Sequence, residues 1–131
     1  MPIDTVQAWH RVLKTRDMSA LGDLLADNAV FHSPVVHPPQ VGKPLTLMYL
    51  AAAAQVLGNE SFRYLREVVG PRDAALEFTV DIDGITVNGV DLIHWDFEGR
   101  IDDFKVMLRP LKAVNLVHQK MAQMLQAQRW T

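Results

Sequence analysis

From Phe62 to Leu108 the apolar residues of this chain fall on alternate positions, whereas before Gly58 and after Pro110 they recur every three or four. Period two belongs to a strand with one buried face, and period 3.6 to a helix with one buried stripe. A chain that lays down helices first and meandering strands afterwards builds a segregated α+β domain, not a series of βαβ units. Its 131 residues, 49% of them hydrophobic, suffice for one domain with a sizeable core. Residues 1–131 are therefore read as a single domain.

Local signals place the elements. Asp4 and Gln7 form a capping box ahead of Val6, Trp9, Val12 and Leu13. Arg16-Asp17 breaks that stripe, and Asp17 caps a second helix that turns Met18, Leu21, Leu24 and Leu25 inward. Ala29–Val36 has strand character and runs into the loop His37-Pro38-Pro39. Pro44 suits the first turn of a third helix, whose buried face is Leu47, Leu50, Ala51, Ala54 and Leu57 and whose stop is Gly58. Four strands follow: Phe62–Val69, Ala74–Ile82, Ile85–Phe97 and Arg100–Leu108. Asp83-Gly84 is a tight-turn pair, and Asn88-Gly89 is expected to form a bulge or a second turn. Leu111–Gln128 is a final helix.

Several function classes are excluded early. The chain has no cysteine, which removes thiol catalysis, thiolate metal sites and disulfides. Net charge is −2 with both signs interspersed, so no basic stripe invites nucleic acid. No apolar run reaches the ~18 residues of a membrane span. The start, MPIDTVQAW, does not read as a signal peptide. A cytoplasmic protein is the expectation. With no histidine pair at ligand spacing and no glycine-rich phosphate loop, neither a metal nor an organic cofactor is expected.

Three stretches, LLADNAVFHSP, PPQVGKP and GVDLIHWDFEGRIDDFKVMLRP, resemble the nuclear transport factor 2-like superfamily in its SnoaL-like bacterial branch. The resemblance covers about Thr5 to Leu116. It implies a strongly curved, mainly antiparallel sheet wrapped around the N-terminal helices, an internal pocket, and a C-terminal helix. That superfamily hosts isomerases, cyclases, dehydratases and non-enzymatic binders, and many members dimerise through the outer sheet face. By similarity to ketosteroid isomerases, Asp91 aligns with their oxyanion-hole Asp and Trp9 with their oxyanion-hole Tyr. Ser33 stands where they carry the general base.

Strand parity sets Asp91 on the face of Ile93 and Trp95. If those two line the pocket, a desolvated carboxylate lines it with them, its pKa raised, as a hydrogen-bond donor or acid. The alternative is a buried Asp satisfied within the fold. Phe31, Phe78 and Phe104 are further apolar pocket candidates. Ser33 shares the parity of Phe31 and is read as lining the pocket beside Trp9. His37, in the proline-rich loop, is a weaker acid-base candidate at the pocket mouth. His32 and His94 are expected on the opposite face. Asp102 and Asp103, as neighbours in a strand, should point to opposite faces, with Asp102 solvated near the turn. Leu92 and Met107 are expected on the outer face among polar residues, which suits a homodimer.

Two functional readings follow, beside a protein-interaction module that would need a large apolar outer surface beyond the dimer patch. One is a cofactor-free isomerase, cyclase or dehydratase acting on a small hydrophobic oxygenated molecule through Asp91. The other is a non-catalytic module that binds such a molecule.

Overall fold

The computed structural model describes residues 4–129; Met1–Ile3, part of the stretch weighed above as a signal peptide, lie outside the described residues. Helix α1 (Thr5–Thr15) starts where the Asp4 carboxylate accepts the Gln7 backbone N–H at 3.2 Å. It ends at Arg16, whose left-handed backbone (φ 59°) lets its N–H close on the Val12 carbonyl at 2.8 Å. Asp17 caps α2 (Met18–Leu24) in the same way through the Ala20 N–H. Strand β1 (Leu25–His32) and the short β2 (Gln40–Val41) lead to α3 (Lys43–Leu57), which carries Pro44 in its first turn and stops at Gly58.

Strands β3 (Arg63–Val69), β4 (Asp73–Ile82), β5 (Ile85–Trp95) and β6 (Ile101–Arg109) form a meander, and α4 (Leu111–Arg129) follows. The six strands make one sheet in the order β2-β1-β6-β5-β4-β3. Only β1 and β6 run parallel. The fold is α+β, as the change of period predicts. Along β4 and β5 burial alternates strictly, so one sheet face meets the helices and the other is open. Ala113, Val117 and Met121 of α4 are buried, and this helix packs against α3, β5 and β6.

Three local expectations are corrected. Strand β1 begins at Leu25 and ends at His32, so the residues after His32 have no strand parity. Asn88-Gly89 is neither bulge nor turn: the β4–β5 ladder runs unbroken, with Asn88 opposite Thr79 and Gly89 opposite Phe78. The glycine is there because a Cβ would sit 2.4 Å from the Phe78 ring. The irregularity lies instead in β6, where His94 pairs with Asp103 and Trp95 with Ile101, leaving Asp102 as an extra residue. That bulge turns both carboxylates the same way. Asp102 meets His94 at 2.5 Å and Asp103 meets His32 at 2.8 Å, while Ile101 and Phe104 on either side are buried.

Candidate functional site

The site is built from the buried stripe of α1 and the helix-packed face of the sheet. The Thr5 hydroxyl donates to the Gly99 carbonyl at 2.6 Å and pins the start of α1 to the β5–β6 turn. One turn further on, Trp9 points at the sheet, its ring 4.9 Å from that of Phe104. The indole N–H donates to the Tyr64 hydroxyl at 2.8 Å, and Tyr64 in turn donates to Oδ2 of Asp91 at 2.7 Å. Trp9, on a helix, is thereby linked through an edge strand to Asp91 on β5.

Asp91 is 5% exposed. Removal from water raises its pKa from the ordinary 3.8 to about 7, and the Tyr64 hydrogen bond opposes that rise only in part. Tyr64 is itself pushed well above the usual tyrosine value, first by burial and then by the neighbouring carboxylate. The hydroxyl therefore stays a donor. Near neutral pH Asp91 populates both its acid and its carboxylate form, the condition in which one group serves as either partner in proton transfer.

A cavity of about 190 Å³ lies beside this chain of hydrogen bonds. Trp9, Tyr64 and Asp91 supply its inner polar groups, and Leu50, Phe78, Phe104 and Val106 its apolar wall. Its lining also includes Arg16 and Asn59, both exposed, which mark the mouth between the end of α1 and the end of α3. Among the described residues no three His, Asp or Glu side chains converge as metal ligands would.

Of the residues singled out from sequence, Trp9, Phe78, Asp91 and Phe104 line this cavity. Phe31, Ile93 and Trp95 share the helix-packed face and are buried, but they fill the core away from the cavity. Ser33 is not among its lining residues; its hydroxyl accepts the Val35 N–H in a local turn, because the strand that would have aimed it inward has already ended. His37 is exposed on its loop and likewise does not line the cavity. His32 and His94 lie on the open face with their carboxylate partners. Sequence reasoning missed Tyr64 and Arg16. Tyr64 had one legible signal, a shared parity with Phe62, whose ring stands 5.2 Å from its own.

Comparison with known proteins agrees with this fold. The model of the SnoaL-like domain family matches residues 6–104. A search of curated proteins finds no match. Among solved structures, the chain is similar to a steroid delta-isomerase from Pseudomonas aeruginosa, with 34% identity over 97% of this chain and 93% of that one and a TM-score of 0.90. It is similar to an uncharacterized protein with a cystatin-like fold from Silicibacter pomeroyi, at 30% identity, 98% and 86% coverage and a TM-score of 0.82. A protein with a ketosteroid isomerase-like fold from Catenulispora acidiphila, crystallised with trimethylamine, shares the fold at 17% identity, 87% and 91% coverage and a TM-score of 0.63. With three-quarters of its length matched by the family model and its fold shared at 34% identity with the steroid delta-isomerase, this protein belongs to the SnoaL-like domain family of the nuclear transport factor 2-like superfamily.

Proposed function

We propose that the protein binds a small, hydrophobic, oxygenated molecule in this cavity and catalyses a cofactor-free proton transfer on it, with Asp91 as hydrogen-bond donor or acid. The observation that carries the reading is the Asp91 carboxyl, buried in an apolar cavity and held by Tyr64 at 2.7 Å. Tyr64 occupies Oδ2, which leaves Oδ1 to carry the proton. A carbonyl or hydroxyl oxygen of the ligand accepts from it. That hydrogen bond strengthens as negative charge gathers on the oxygen, which is the differential binding that catalysis needs. Among the described residues the lining holds no second carboxylate and no histidine, so while Asp91 donates to the ligand oxygen, a water molecule beside the ligand takes the proton leaving carbon. Isomerisation, cyclisation and dehydration all fit this chemistry. The 34% identity with a steroid delta-isomerase supports the same class.

A second reading, a binding module without turnover, is favoured by the placement of Ser33 outside the cavity, which leaves Asp91 without a companion base there. One experiment separates the two. The bicyclic ketone 2-tetralone is incubated with the protein in heavy water, and both its affinity and the loss of its α-proton NMR signal are followed. Binding with exchange that Asp91→Asn abolishes supports the enzyme. Binding without exchange supports the module. Absence of binding sinks both.

A homodimer through the open sheet face belongs to the same proposal. Cross-strand rows there place Val68, Ala75, Leu92 and Lys105 side by side, and Arg66, Glu77, Val90 and Met107 beside them. Met107 is 47% exposed and Val68 62%, within a border of ion pairs. A cytoplasmic setting rests on composition, and among the described residues no helix is long and apolar enough to cross a membrane.

A further inference from the structure

The polar groups of the cavity stand at its two ends. Asp91, Tyr64 and Trp9 are at the inner end, and Arg16 is at the mouth with apolar wall between. Arg16 is held in a fixed pose. Its backbone is left-handed at φ 59°, and its guanidinium donates from Nη1 to the Ala54 carbonyl at 3.2 Å and from Nη2 to the Gly58 carbonyl. Gly58 is bare where this happens: a Cβ would come within 2.6 Å of Nη2. Two of the five guanidinium donors are used on the last carbonyls of α3, which also suits a cation at a helix C-terminus. Among the described residues no carboxylate lies within the 4.0 Å of an ion pair with Arg16. The mouth thus presents an oriented positive charge, not neutralised by a side chain, to whatever enters.

We infer that the cavity selects anionic ligands: a one- or two-ring molecule whose neutral oxygen meets Asp91 and Tyr64 and whose carboxylate reaches Arg16. This rests on the proposed function and narrows its ligand class. Size supports it. The cavity, at about 190 Å³, is larger than the ~150 Å³ that holds benzene and below the ~300 Å³ at which drug-sized pockets begin. Charge fixes the direction of binding. A carboxylate turned inward would lose its water in an apolar surround with no cation beside it; turned outward it meets the guanidinium donors that the Ala54 and Gly58 carbonyls leave free. An apolar ligand without the anion has no such preference for one orientation.

The test compares 2-naphthol with 6-hydroxy-2-naphthoate by titration calorimetry, on the wild-type protein and on Arg16→Gln. The wild type is expected to favour the naphthoate about tenfold or more, in line with a hydrogen bond to a charged group. That ratio falls to about one in Arg16→Gln, and falls with added salt in the wild type. Equal wild-type affinities overturn the inference while leaving the proposed function standing, and so does a preference that survives Arg16→Gln. Failure of both probes to bind the wild type overturns the proposed function itself. If Arg16→Gln does not fold, the wild-type ratio and its salt dependence decide alone.

Discussion

Tyr64 and Asp91 touch although their strands do not. Strand β4 lies between them, so their backbones stand two strand spacings apart, roughly 10 Å. The phenol closes that gap along the inner surface of the curved sheet and ends 2.7 Å from Oδ2. At the point where it passes, β4 presents Phe78, whose ring meets that of Tyr64 edge-on at 6.4 Å.

Removing this hydroxyl has a defined sign. The Tyr64 donor favours the ionised carboxyl, so Tyr64→Phe is expected to raise the Asp91 pKa above its present value of about 7. The Trp9 N–H also loses its acceptor, and stability should fall by about 1–3 kcal/mol. Carbon-13 NMR titration of the aspartate carboxyls reads the first effect and urea unfolding the second. An unmoved titration contradicts the assignment.

Asp91 ties stability to pH. Its folded-state pKa of about 7 exceeds the ordinary 3.8, so the folded protein holds the extra proton between those values. The resulting stabilisation is complete below about pH 4 and is lost as pH rises through about 7. Its size is about 4 kcal/mol. Unfolding curves at pH 4.5 and pH 7.5 should show the wild type losing stability with pH and Asp91→Asn losing much less. Equal losses would mean that another group titrates.

Gly89 gives a packing prediction. In Gly89→Ala the new methyl group meets Phe78 at 2.4 Å and Leu108 at 2.8 Å, with both neighbours packed into the sheet. Overpacking of this kind costs about 1–3 kcal/mol. Because Phe78 also lines the cavity, affinity for 2-naphthol should fall together with the melting temperature. A variant as stable as the wild type would show that the Phe78 ring has room to move.

The open face gives an assembly prediction. Leu92→Glu combined with Met107→Glu puts two charges in the centre of the proposed dimer interface, where association would strip water from both carboxylates and only Lys105 stands opposite position 92. Analytical ultracentrifugation should find a dimer for the wild type and a monomer for the double variant. A monomeric wild type rules the dimer out.

The sequence was most legible where the cause is local. Asp4 and Asp17 cap the helices expected of them, and Asp83-Gly84 turns with φ of 51° and 79°. Asp91 was found by strand parity because β5 is regular throughout its length. Parity failed where regularity failed. Ser33 falls after the end of β1, and the extra residue Asp102 reverses the phase of β6, so Asp102 and Asp103 meet two histidines on one face. Tyr64 was missed for two reasons. Strand β3 is exposed almost throughout and carries its own irregularity after Tyr64, so it shows no buried alternation. Its partners also lie far away in the chain, and no local pattern encodes them.

Strand β3 forms one edge of the sheet, and its residues other than Tyr64 are exposed. The acidity of a core carboxyl, set first by its burial, is therefore also adjusted from the rim. Substitutions along this strand disturb few packed neighbours, yet a small change in how it lies shifts the donor that tempers the proton affinity of Asp91. A lineage built on this scaffold can thus retune the proton affinity of Asp91 at the edge while leaving the packed strands intact.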